Sequence, residues 1–279
     1  MICSRNFAYV LVLLGLPFQF SFQFNFYTVG AQNIQMDWNL DNISSFQLKV
    51  ANKITTYFAA FSAIIWIILS YKIRKRRLII SIVFFTSSVV WLVNIAINDK
   101  LFWLVITIRA INGIFIGFFQ TVHISYIMHF AEDNLFGFYG CLIQVSMFFS
   151  LSLLNVFVHA LRWQIICVIL AIRSFLFGGL IWTIPEFIVI PKTSSHTHIY
   201  YQPYFKNAIV MILVMIIQCF SGIGFMIDNC ARLLHGIGID IDIYISSSFM
   251  NLVGYTSTLI CSFIIDFIGV KYMWSFSTF

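Results

Sequence analysis

Apolar positions in this chain gather into eight long stretches, each separated from the next by a shorter polar or charged segment. A helix crossing a bilayer needs roughly 20 apolar residues, because its backbone polar groups must be bonded within the segment where water is absent. On that criterion the spans fall at about 7–30, 54–71, 78–97, 102–127, 138–158, 163–184, 208–234 and 243–267. Pro17 lies within the first and predicts a kink, since proline removes a helical N–H and crowds the preceding turn. The start of the chain, Arg5 followed by the AYVLVLLGLPFQF run, has the outline of a secretory signal. It lacks a small-x-small cleavage site, and its apolar run continues through Phe26, so it reads as a span. The polar stretch 191–207, PKTSSHTHIYYQPYFKN, divides a six-span unit (1–190) from a unit carrying spans seven and eight (208–279). The closing KYMWSFSTF reads as the approach to another apolar segment.

Composition turns this pattern into a class. Of 279 residues, 61% are hydrophobic and only 9% are charged, with a mean hydropathy of +0.93. A soluble domain carries about 25% charged residues to face water, so a soluble fold is excluded and an all-α, multi-pass membrane protein is expected. The net charge of +6 has its account in loop topology rather than in nucleic-acid binding. One side of the membrane collects Arg5, Lys72, Arg74, Lys75, Arg76, Arg77, Lys192, Lys206 and Lys271, whereas the other has Lys49, Lys53, Lys100 and Arg162. The positive-inside rule then places the N-terminus and the 191–207 linker in the cytoplasm, with the plasma membrane as the expected location. The sequon Asn42-Ile43-Ser44 falls in the first outward loop, in agreement. Five of the six cysteines lie in apolar stretches without metal-ligand spacing, which predicts small buried thiols and neither a metal nor a cofactor.

Several motifs then fall into one register. The basic cluster Lys72, Arg74, Lys75, Arg76 and Arg77 between spans two and three is most simply a topology anchor, but it also resembles the tail of the D-x-x-G-R-R loop of the major facilitator superfamily. Arg109, Gly113 and Gly117 form R-x-x-x-G-x-x-x-G, a small-residue packing face in its own right. Tyr126, Gly137 and Gln144 follow it at the intervals shown by sugar porters of that superfamily. Pro185-Glu186 resembles the start of P-E-S-P-R, and Gln218 to Gly224 is similar to Q-Q-L-S-G-I-N. Asp266 to Lys271, with Gly269, resembles the second D-x-x-G-R-R loop, and Gln19 to Gln23 sits where the family has Q-F-G-Y-N or Q-F-G-Y-D.

The resemblance, which covers nearly the whole chain, is to the sugar porters. It implies a major-facilitator-like helical bundle with a complete six-span N-terminal half and about two spans of the C-terminal half. It also implies a small neutral sugar as substrate, with Gln144, Gln218 and Gln23 as the candidate binding amides. Amides suit hydroxyls because they offer donors and acceptors without net charge. Gln23 stands where proton-coupled members carry an acid, which implies a facilitator. The departures are equally specific. His129, Glu132 and Phe136 replace the Glu, Pro and Arg of the clamp after span four, implying a weaker clamp, and Cys219, Gly224 and Gly254 replace binding amides. The superfamily rocks two six-span bundles about a midplane site. The 279 residues alone are therefore expected not to transport as a monomer, and further spans or pairing with other chains, a homo-oligomer included, would complete them.

Other readings stand beside this one. No span carries paired carboxylates, H-E-x-x-H or a Ser/His/Asp grouping, so no enzyme is expected. A non-transporting membrane protein (a sensor, a scaffold or a decayed transporter fragment) is the rival, favoured by the eroded motifs. An intramembrane Gln can equally bridge two helices. Asp228 and Arg232, four residues apart, read as a pair within span seven. His123 and His129 read as packing and solvation, and Arg173, near the middle of span six, has no partner legible in the sequence.

Overall fold

In the computed structural model the described residues are 5–29, 45–72, 76–95, 102–131, 135–186 and 243–269, with isolated positions between 206 and 220 and Tyr272. The 191–207 linker, most of span seven and the Asn42 sequon lie outside them. The described residues form helices and contain no strand. Span one is two helices, α1 (Arg5–Leu13) and α2 (Gly15–Val29). Spans two to six are α3 (Ser45–Lys72), α4 (Arg76–Ile95), α5 (Phe102–Phe130), α6 (Phe136–Ala160) and α7 (Trp163–Leu180), the last extended by a 3-10 turn, Ile181–Thr183. Span eight is α8 (Ile243–Ile268).

Among the described residues six helical segments are long and apolar enough to cross a bilayer, and the apolar part of α3 is a shorter run, Lys53–Leu69. The chain is thus an integral, multi-pass membrane protein. The break in span one falls at Leu14, three residues before Pro17 rather than at it. Pro17 has no N–H for the carbonyl of Leu13, so the turn on its N-terminal side is the one that opens. The bonds from Leu14 N to Val10 O (2.8 Å) and from Phe18 N to Leu14 O (3.2 Å) carry the chain across. Helix α3 begins nine residues before the expected start of span two, because Lys49 and Lys53 end the apolar run without ending the helix.

The helices pack most extensively as α3 on α5, α6 on α8, α4 on α7 and α2 on α6. Among the described residues two apolar clusters fill the interior. One, toward the end carrying Arg77, includes Leu13, Phe84, Tyr126 and Phe138; the other, toward the far end, includes Phe26, Trp91, Leu154 and Trp163. A polar layer separates them: on five helices, α2 and α4 to α7, a buried polar residue falls between the two clusters, namely Gln19, Ser87, Asn112, Ser150 and Ser174. On the outside, Phe61, Ile64 and Ile68 of α3 and Ile172, Phe175 and Leu176 of α7 are exposed. Apolar exposure on this scale fits a surface solvated by lipid.

The small-residue face of α5 works by contact. A Cβ at Gly117 would lie 2.0 Å from Ser62 Oγ and 2.5 Å from Ala59 O, and one at Gly113 would lie 2.6 Å from Thr55 O. These glycines let α3 approach closely enough for Thr55 Oγ1 to donate to Arg109 O (3.3 Å) and Ser62 Oγ to Gly113 O (3.4 Å). Gly117→Ala forces apart two backbones that cannot yield as a flexible side chain would, and is expected to cost about 1–3 kcal/mol. A melting curve in detergent checks this, and an unchanged midpoint would show that α3 and α5 are not held at this crossing.

Candidate functional site

The expected sugar amides are not gathered into one pocket among the described residues. Gln23 is buried, and its Nε2 donates to Ser87 Oγ at 2.6 Å. Its Oε1 is buried with no partner among the described residues. Gln144 projects outward, exposed, from α6. Gln218 lies outside the described residues.

What the structure does assemble is a network through the polar layer. Gln19 Nε2 donates to Ser87 Oγ at 2.8 Å, and Gln19 Oε1 accepts from Arg173 (2.8 Å) and from Ser174 Oγ (3.2 Å). A second Arg173 nitrogen donates to Gly15 O at 3.2 Å. The guanidinium also lies over the ring of Phe18, 4.1 Å from its centroid, and within 5.3 Å of those of Phe22 and Phe177. Arg173, which had no legible partner, therefore joins spans one and six, and Gln19 extends that link to span three. Ser88 Oγ and Ser81 Oγ add bonds from α4 to Ala171 O (2.8 Å) and Gly178 O (2.7 Å) of α7. His123 is buried and bonds through its ring to the carbonyl of Phe119 in its own helix, the packing role expected of it.

The motif residues meet at one end of the bundle, in two contacts. In the first, Arg77 Nε lies 3.4 Å from Glu186 Oε2, its backbone N–H donates to Glu186 (3.2 Å), and its guanidinium donates to Ile184 O (3.1 Å). That guanidinium also lies over the ring of Trp182, and Tyr126 Oη donates to Pro185 O at 3.5 Å. Arg77 of the basic cluster and the Pro185-Glu186 pair are thus parts of one knot. In the second contact, Asp266 at the end of α8 accepts from the backbone N–H groups of Gly137 and Phe138, each at 2.8 Å. Gly269 then ends α8 with a φ of +87°, a conformation that glycine adopts without steric cost, and its N–H donates to Ile265 O. Arg109 is buried in α5 behind Gly113. Arg76 opens α4 and Lys72 closes α3, whereas Lys75 and Glu132 lie outside the described residues. Among the described residues no three His, Cys, Asp or Glu side chains gather as metal ligands.

No family model and no curated protein sequence matches the chain. Among solved structures it is similar to the proton:xylose symporter XylE of the major facilitator superfamily, determined with 6-bromo-6-deoxy-D-glucose bound. The TM-score is 0.53 at 17% identity, over 67% of this chain and 46% of that one. The chain therefore has a major-facilitator-like helical fold and spans about half the length of the transporter it resembles.

Proposed function

We propose that this protein is a transporter of the sugar porter type, moving a small neutral solute such as a hexose or polyol by alternating access. The contact that carries this reading is the seam between α6 and α8. There Asp266, from the C-terminal unit, caps the N-terminus of a helix of the N-terminal unit through two hydrogen bonds. Two bonds at one end of a seam are a contact that rocking can make and break. Gln144, exposed on α6, and the unpartnered Oε1 of Gln23 supply amide groups for hydroxyls. The basic end, with the N-terminus, faces the cytoplasm, and the plasma membrane is its location.

Transport is facilitative in this reading, because the described parts of the first six spans place no carboxylate at depth and Gln23 cannot exchange a proton near neutral pH. Labelled hexose uptake into proteoliposomes, in the protein's native assembly, should be saturable and unchanged by a protonophore. Gln144→Ala should lower kcat/KM about tenfold, the cost of one unmade hydrogen bond to substrate. Accumulation against a gradient that collapses with the protonophore would overturn the facilitator reading.

One observation favours a non-transporting protein. Gly254, where the family has a binding Asn, packs on the ring of Phe148, so that a Cβ there would lie 3.0 Å from it. A side chain at that position would require the ring to give by a few tenths of an ångström, and glycine itself offers no amide there. Absence of flux in every assembly would establish this second reading.

A further inference from the structure

A cavity, apart from Gln23 and Gln144, opens between α1, α2, α6, α7 and α8. Its volume is about 350 Å³, at the lower end of the range for small-molecule pockets. From α6 it takes Leu142, Val145 and Phe149, a line about 130° round the helix from Gln144 at 100° per residue. The cavity and the exposed amide thus lie on different flanks of the same span. Leu11 and Phe149 line it and are 52% and 44% exposed, so it is open at that rim.

Its walls are apolar and aromatic apart from Ser146 and one charge, Arg173. Both acceptors of Arg173, Gln19 Oε1 and Gly15 O, are neutral. The described residues hold two carboxylates, and both are engaged elsewhere: Glu186 with Arg77, and Asp266 with the start of α6. A cation at mid-span without a counter-charge is costly, and aromatic faces offset only part of that cost. Two of the five guanidinium N–H groups are used by these bonds, and the side chain lines the cavity. We propose that the cavity binds an organic anion with an apolar body. Its oxyanion pairs with Arg173 and its body lies against Phe18, Phe149, Phe177 and Tyr255. Because Tyr255 comes from α8 and the other residues from the N-terminal unit, an occupant bridges the two. This site is independent of neutral-solute transport and is tested by binding alone.

The experiment uses the full chain in phosphatidylcholine nanodiscs, with fluorescent 2-naphthoate as probe and its neutral isostere 2-naphthalenemethanol as comparison. Naphthoate should bind saturably at one site, about tenfold or more tighter than the alcohol, the margin of a charge-assisted hydrogen bond. Arg173→Gln should abolish that preference. Leu11→Trp, at the exposed rim and away from the polar layer, should weaken binding while leaving the melting temperature unchanged, so that a folding defect in Arg173→Gln does not decide the outcome. Adding phosphatidate to the nanodisc separates the sources: competition marks a lipid as the natural occupant, and its absence marks a soluble acid. Equal affinity for acid and alcohol would overturn the proposal, as would binding indifferent to Leu11→Trp. Naphthoate binding that appears only in Asp228→Asn would overturn it too, because Arg173 would then already hold a carboxylate of the seventh span.

Discussion

Asp266→Ala is expected to loosen the seam between α6 and α8 and to raise the labelling of its cysteines by about tenfold. The N-cap position of α6, Leu135, offers no side-chain bond to the first turn, so the orphan N–H groups of that turn have no local acceptor. Asp266 supplies one from another span, with an oxygen on each of Gly137 and Phe138. A carboxylate at a helix N-terminus also meets the positive end of the helix dipole. Loss of an N-cap side chain costs about 0.5–2 kcal/mol, and 1.4 kcal/mol moves a two-state equilibrium tenfold. Cys141 and Cys261 are half-buried on the two helices, four and five residues in from Gly137 and Asp266, and report on this seam. Cys167, buried in α7, serves as the control. Asp266→Asn should fall between wild type and alanine, since the amide oxygen replaces one acceptor while its NH₂ group opposes the other donor. Site-resolved maleimide labelling that is the same in all three proteins would show that the seam is held by apolar contacts such as Phe138 on Phe263.

The spans among the described residues were legible because the demand for unbroken apolar length acts on the sequence directly. Their edges were less so: the apolar run stops at Lys53, but a helix can continue past its apolar part, and α3 extends back to Ser45. Gly113 and Gly117 were legible as a packing face, since only absent side chains permit such an approach. The pairing of Asp266 with Gly137 was reachable only through the resemblance, because its acceptor and donors lie 129 residues apart and one side of the contact is backbone. Gln23 shows the limit of register. It matches the sugar porters' Q-F-G-Y-N motif in register, yet its donor is turned inward to Ser87. Arg173 was missed for a physical reason: a search for its partner looks for an acid, and the partner is a neutral amide 154 residues away. The signal available was Gln19 and Gln23, one helical turn apart, opposite the Ser87-Ser88 pair of span three.

Gln19→Leu is expected to destabilise the bundle by about 3 kcal/mol, well above the roughly 0.6 kcal/mol typical of a hydrogen bond between membrane helices. The smaller figure applies where the freed groups find other partners, and that escape is closed here. Gln19 is fully buried, and one side chain serves Arg173, Ser174 and Ser87 together. Arg173 lies about 15 Å from the start of α7 at 1.5 Å per residue, too deep for its guanidinium to reach the interface. A leucine at position 19 would leave that charge with Gly15 O and its aromatic rings alone. Arg173→Met should cost less, about 1–2 kcal/mol, because Gln19 Oε1 still accepts from Ser174. The double variant decides between charge and packing. With both partners apolar no buried charge remains, and replacing a buried polar pair by hydrocarbon is often close to neutral. The double should therefore melt nearer to wild type than Gln19→Leu does, and by much more than the roughly 0.5 kcal/mol scatter of independent sites. Unfolding of the three variants in one detergent measures the cycle. If the single costs simply add, the stability of the layer comes from side-chain packing, and Arg173 is not anchored by Gln19.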